Sequence, residues 1–216
     1  AGVNIPSSGD NKSVQAIELI KSRKFVKHLI MFDDVLPSMM AAKSYDITSQ
    51  ELSFDPNLYD SKTKTWKRKP KKNSPIIPSY LEAHVAYTGM MSISQDPATG
   101  FILLNIEHIS PLFAKELLDL IIQESNELLR KKDMEESKQG LRFLTSESSQ
   151  TPFVGIKESI NDLIEVQLEM QMLAQIHQDY VLIEIDPPFI PEKKSKPSRA
   201  VICILGTMLG GMLSVL

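Results

Sequence analysis

The sequence predicts an α+β chain, and three observations carry that assignment. Two helix-period apolar stripes follow serine–proline or threonine–proline starts in the second half of the chain, two strand-like runs flank a proline-to-glycine turn before them, and capping signatures punctuate the first half. The chain has 216 residues, of which 42% are hydrophobic and 24% charged. That is the composition of a folded chain long enough to bury a core. A formal net charge of −3 argues against nucleic-acid binding through bulk charge, so no nucleic-acid partner is expected. One cysteine, Cys203, excludes an internal disulfide framework and a cysteine-rich zinc site.

Taken in order, Ser13 can cap a short helix through Ile17, Leu19 and Ile20, and Arg23 to Phe32 carries a second apolar set. Asp33, Asp34 and Pro37 break that pattern, and a further short helix is predicted over Leu36 to Tyr45. Asp46 to Pro78 is polar, basic and proline-punctuated, and reads as a long loop excursion. Ser79-Tyr80-Leu81-Glu82 has capping-box spacing and opens a helix that ends near Gly89. Met91 to Ser94 and Phe101 to Ile109 are predicted strands around the turn Asp96-Pro97-Ala98-Thr99-Gly100. Ser110-Pro111 is an N-cap followed by an N1 proline, and the helix it starts meets no firm stop before about Ser146. At about 1.5 Å per residue such a helix exceeds an ordinary globular one, and its charged second half should project from the core.

Thr151-Pro152 repeats the helix start, and a second long helix is predicted to about Asp179. Its apolar positions Ile156, Ile160, Leu163, Ile164, Leu168, Met172, Leu173 and Ile176 suit an antiparallel partner for the first, giving a helical hairpin over 110–179. On pattern alone, a coiled hairpin in a cytosolic adaptor is also a fair reading. Tyr180 to Ile185 alternates as a strand, closed by Asp186-Pro187-Pro188. Pro187, Pro188, Pro191 and Pro197 make a stiff, extended approach to the last segment.

That last segment, Ala200 to Leu216, contains no charged residue and follows Lys193, Lys194, Lys196 and Arg199. It has no polar stripe, and interior glycines would weaken a soluble helix. The expectation is the start of a transmembrane helix over 197–216, cut short, because a span needs about 20 residues. Gly206, Gly210 and Gly211 would allow close packing of that helix against another. The opening residues look equally incomplete, without an initiator methionine or the basic and apolar regions of a signal peptide.

The residues offer little catalytic chemistry. His28, His84, His108 and His177 show no metal-ligand spacing, and there is neither a phosphate-cradling P-loop nor a G-x-S-x-G elbow. Asp55-x-Asn57 fails as a calcium loop because its sixth and twelfth positions are Asp60 and Trp66. Ser61 to Lys72 gathers Lys62, Lys64, Lys67, Arg68, Lys69, Lys71 and Lys72 around Trp66 without an acid. Lys67, Arg68 and Lys69 are candidates for contact with a glycan or another anion, while the simpler reading is a solvated charge run that offsets an acidic body.

Several colinear motifs resemble the Wzz family of polysaccharide chain-length determinants, or polysaccharide co-polymerases. They are Leu36-Pro37 with Ala42-Lys43-Ser44, Asp55-Pro56-Asn57-Leu58-Tyr59-Asp60 leading to Trp66, and Thr99-Gly100 before Glu107-His108-Ile109-Ser110-Pro111. Arg130-Lys131-Lys132-Asp133-Met134-Glu135-Glu136 is similar too, as is the run from Asp186-Pro187-Pro188 through Ile190-Pro191 to Leu205-Gly206 and Leu209-Gly210-Gly211. The resemblance implies a bacterial inner-membrane protein whose residues 1–196 form a periplasmic domain with a small membrane-proximal sheet and a long projecting helix. It implies a ring- or bell-shaped homo-oligomer that acts beside a glycan polymerase, in contact with inner-membrane lipid and with the growing polysaccharide as a further candidate partner. Such proteins set the chain length of O-antigen-type lipopolysaccharide, without enzymatic activity or a cofactor. The alternative is the periplasmic part of a capsule or exopolysaccharide export co-polymerase with a tyrosine kinase domain downstream.

Overall fold

The computed structural model describes residues 8–69, 75–176 and 179–191, together with Cys203, Thr207 and Met208. Three short helices lead: α1 (Ser8–Lys21), α2 (Arg23–Leu29) and α3 (Val35–Ala41). Ser22 caps α2 by accepting from the Phe25 N–H at 3.1 Å. Asp34 sits in the left-handed region (φ 61°) and turns the chain into α3. Pro37 lies within the first turn of α3, where the missing N–H has no intrahelical acceptor to lose, so it is not the breaker that the sequence suggests.

The predicted helix over Leu36 to Tyr45 is corrected here. It stops at Ala41, and Ala42–Asp46 is a strand, β1, paired antiparallel with β2 (Glu51–Phe54). The supposed loop over 46–78 therefore contains structure, including the small ribbon β3 (Tyr59–Asp60) and β4 (Thr65–Trp66). Aromatic contacts explain why so polar a segment holds together. The Tyr59 ring lies 5.4 Å from Phe54 and 5.1 Å from Trp66, burying Tyr59 between them.

α4 (Tyr80–Met90) starts at the predicted capping box, with the Ser79 hydroxyl accepting from the Glu82 N–H and Glu82 accepting from the Ser79 N–H. β5 (Met91–Gln95) and β6 (Ile102–Ile106) form the predicted hairpin, in which Gly100 adopts φ 75°. β6 is shorter than predicted, so Glu107 and His108 follow the strand instead of lying on it. Among the described residues the sheet content is three separate two-stranded ribbons.

α5 (Pro111–Gln150) is 40 residues long and starts at the predicted Ser110 cap, whose hydroxyl accepts from the Phe113 N–H. It is about 60 Å long at about 1.5 Å per residue. α6 (Val154–Ile176) runs back along it, starting later than predicted because Thr151 instead closes α5, donating to the Glu147 carbonyl at 3.1 Å. The core brings Ile20, Phe25, Val26, Leu29, Ala83 and Tyr87 against Phe113, Leu117 and Ile121 on the first turns of α5.

The predicted strand over Tyr180 to Ile185 is corrected too: these residues join none of the ribbons. They are held by polar groups of α5. Asn126 Oδ1 accepts from the Val181 and Leu182 N–H groups at 2.9 and 2.8 Å, and Nδ2 donates to the Leu182 carbonyl at 2.8 Å. The Tyr180 hydroxyl donates to Asp133 at 2.8 Å and meets Lys12 Nζ at 2.7 Å, tying α1, α5 and the returning chain together. No helix among the described residues is long and apolar enough to cross a membrane. Pro187, Pro188 and Pro191 lie in irregular chain, while Pro197, Gly206, Gly210 and Gly211 lie outside the described residues.

Candidate functional site

The candidate anion contacts divide once folded. Arg68 forms a fork on Glu82, with Nη1 to Oε1 at 2.8 Å and Nη2 to Oε2 at 2.9 Å. Its Nε donates to the Ile76 carbonyl at 2.6 Å and Nη2 also to the Pro75 carbonyl at 2.8 Å. The guanidinium thus braces the capping box of α4, and it holds the Glu82 carboxyl down at about 2. Lys67 Nζ donates to Asp60 Oδ2 at 2.6 Å, closing the β3–β4 ribbon and lowering Asp60 to about 2. Lys69 is exposed. The segment is a braced loop edge on which Arg68 and Lys67 already serve intramolecular acids.

His108 is a joint between elements. Its Nε2–H donates to the Ser38 carbonyl of α3 at 3.0 Å, and Nδ1 accepts from the Ser110 N–H at 3.1 Å, next to the α5 cap. Burial pushes its pKa below the usual range, which favours the neutral ring, and the Ser110 N–H selects the tautomer. His28 Nε2 pairs with Glu124 Oε2 at 2.6 Å, joining α2 to α5. Among the described residues no group of three or more His, Cys, Asp or Glu side chains could hold a metal ion.

An open cleft of about 590 Å³ lies between the α2–α3 turn, the ribbons and the start of α5. Phe54, Tyr59 and Phe113 line its apolar side, and Asp34, Gln50 and Lys64 line it with left-handed backbones.

The most extended feature is the hairpin. α6 turns Ile160, Ile164, Gln167, Gln171 and Ala174 toward α5, where Ser137 donates to the Gln167 carbonyl at 2.8 Å and Gly140 lies against the Gln167 side chain. This corrects the predicted interface, since only Ile160 and Ile164 of the predicted apolar set belong to that face. On a neighbouring flank Leu163, Val166 and Leu173 recur, with the half-buried Met170 between them, at three- and four-residue spacings, the pattern of a coiled-coil seam. Leu163, Val166 and Leu173 are 52%, 49% and 47% exposed.

What the fold and these sites define is an α+β chain that carries a projecting helical hairpin with a second, partly exposed apolar seam. No protein-family model and no curated protein matches the chain.

Proposed function

We propose that this chain is a non-enzymatic scaffold that sets the chain length of a surface polysaccharide of the O-antigen lipopolysaccharide type. It works as a homo-oligomer beside a glycan polymerase in the bacterial inner membrane, with residues 1–196 in the periplasm. The observation that carries this reading is the seam of Leu163, Val166, Met170 and Leu173 on a helix already packed against α5 along another face. A contiguous apolar stripe on a projecting element is what a further helix covers, and side-by-side copies of the hairpin would bury it repeatedly. The resemblance of several motifs to those of chain-length determinants supports the same reading, as does the uncharged 200–216 segment, in which Gly206, Gly210 and Gly211 would let membrane helices approach closely.

Deleting the gene broadens the glycan length distribution while total glycan synthesis persists. An unchanged length profile, or loss of synthesis altogether, rejects the assignment. Leu163→Asp together with Leu173→Asp lowers the oligomer mass in cross-linking and broadens the same profile. A full-size oligomer in that variant rejects the seam as its interface.

A further inference from the structure

Helix α4 and the loop before it carry a second exposed surface, far along the chain from the hairpin seam. Ala83 and Tyr87 face the core, so the 100° step of a helix puts Leu81 and Val85 on the opposite side of α4. There Leu81 is 49% exposed and Val85 71%. The preceding loop adds Ile76 and Ile77, 55% and 59% exposed, and Arg68 ties that loop to α4 through two carbonyls and Glu82.

Basic groups border this ridge. α2 packs beside α4 and buries Phe25, Val26 and Leu29, leaving Arg23, Lys24 and Lys27 on its outer face. Lys27 Nζ lies 5.6 Å from the Tyr80 ring centroid, and His84 Nε2 meets the Lys21 carbonyl at 2.9 Å, so the basic helix and the apolar ridge adjoin. Of the acids at this border, Glu82 is neutralised by Arg68, and Glu18 on α1 is exposed.

We infer that the α4 ridge with Arg23, Lys24 and Lys27 is a docking surface for an anionic lipid bilayer. An exposed apolar strip beside clustered lysine and arginine is the arrangement that lies in a membrane interface. The apolar side chains enter the headgroup boundary and the cations meet lipid phosphates. A protein groove would gain from the apolar ridge alone, whereas the adjoining cations select a negatively charged surface. The inference goes beyond the chain-length assignment and does not depend on it, because lipid contact is read without any glycan.

The test uses the full chain carrying Cys203→Ser, with an environment-sensitive fluorophore on Val85→Cys or, as the distant comparison, on Phe143→Cys. Equimolar phosphatidylglycerol–phosphatidylcholine vesicles blue-shift the label at 85 and leave the one at 143 unchanged. Pure phosphatidylcholine vesicles produce no shift at either position, even where the 200–216 segment brings the chain to the bilayer. Arg23→Glu, Lys24→Glu and Lys27→Glu together, or high salt, abolish the shift at 85. Equal shifts on neutral and anionic vesicles, or persistence of the shift after charge reversal, overturn the inference. So does a shift that grows with protein concentration in the absence of lipid, which would assign the ridge to a second copy of the chain.

Discussion

Up to Leu129, α5 is a core helix: Phe113, Leu117, Ile121 and Leu129 are buried, the first three against helices from the first half of the chain. Beyond Leu129 it buries only Ser137 among its described side chains, and α6 answers with Ala174. One helix thus passes from a region stabilised by apolar burial into one where two helices touch along small and polar groups. The two regions teach that helix length and helix burial are separate quantities. The distal part keeps its shape through backbone bonds and surface pairs such as Lys132 with Glu136 and Arg142 with Glu135. Many of its apolar residues, such as Phe143, Leu163 and Met172, stay exposed.

The sharpest way to break this comparison is to truncate one apolar residue in each region. Ile121→Ala removes a fully buried side chain and should cost about 3 kcal/mol in urea unfolding. Leu163→Ala should change the stability of the monomer by less than about 0.5 kcal/mol. Equal effects would mean that the seam is part of the folding core.

Asn126→Ala comes next, at about 2 kcal/mol, because it leaves two N–H groups and a carbonyl of the returning chain without their partner. The loss should be local. Hydrogen exchange at Val181 and Leu182 should speed up while exchange at Phe25 and Leu29 stays slow.

Arg68→Ala should cost about 1 kcal/mol, since its partner Glu82 is partly solvated and the pair is screened. The pH dependence supplies the second reading. The folded-state pKa of Glu82 is lowered to about 2 from an ordinary 4.5, so its contribution is fully present above the ordinary value and fades as pH falls toward about 2. Acid titration of stability in wild type and Arg68→Ala should therefore differ above that window and converge below it. Parallel curves would remove Arg68 from this role.

The smallest effect belongs to the distal hairpin. A Cβ at Gly140 would make ordinary contact with the Gln167 side chain at 3.5 Å, so Gly140→Ala should raise thermal stability by roughly 0.5–1 kcal/mol through helix propensity. A loss would mean that the two helices approach more closely there than their backbones suggest.

The parts legible in the sequence were those written in local chemistry. Ser79 with Glu82 marks the start of α4, Ser110-Pro111 that of α5, and Gly100 the β5–β6 turn, because capping and left-handed backbone depend on neighbouring residues. The strand at Ala42–Asp46 was not legible, since β1 exists by pairing with β2, and the aromatic cluster around Tyr59 holds the ribbons that looked like loop. Of the candidate site, the apolar positions of α6 could be read, but not which of them face α5. Asn126 left a faint signal as an amide between Ile122 and Leu129, whereas nothing nearby announces the Lys12–Tyr180–Asp133 cluster.

The sequence by itself determined the α+β class, the caps that start α4 and α5 and the presence of a long projecting helix, because each is a short-range balance of hydrogen bonding and periodicity. Only the tertiary structure decided that Arg68 braces α4, that the α4 ridge adjoins the cations of α2, and that Leu163 and Leu173 stand uncovered. Those depend on which distant segment arrives to claim a charge or cover a face, and helical spacing does not encode that arrival.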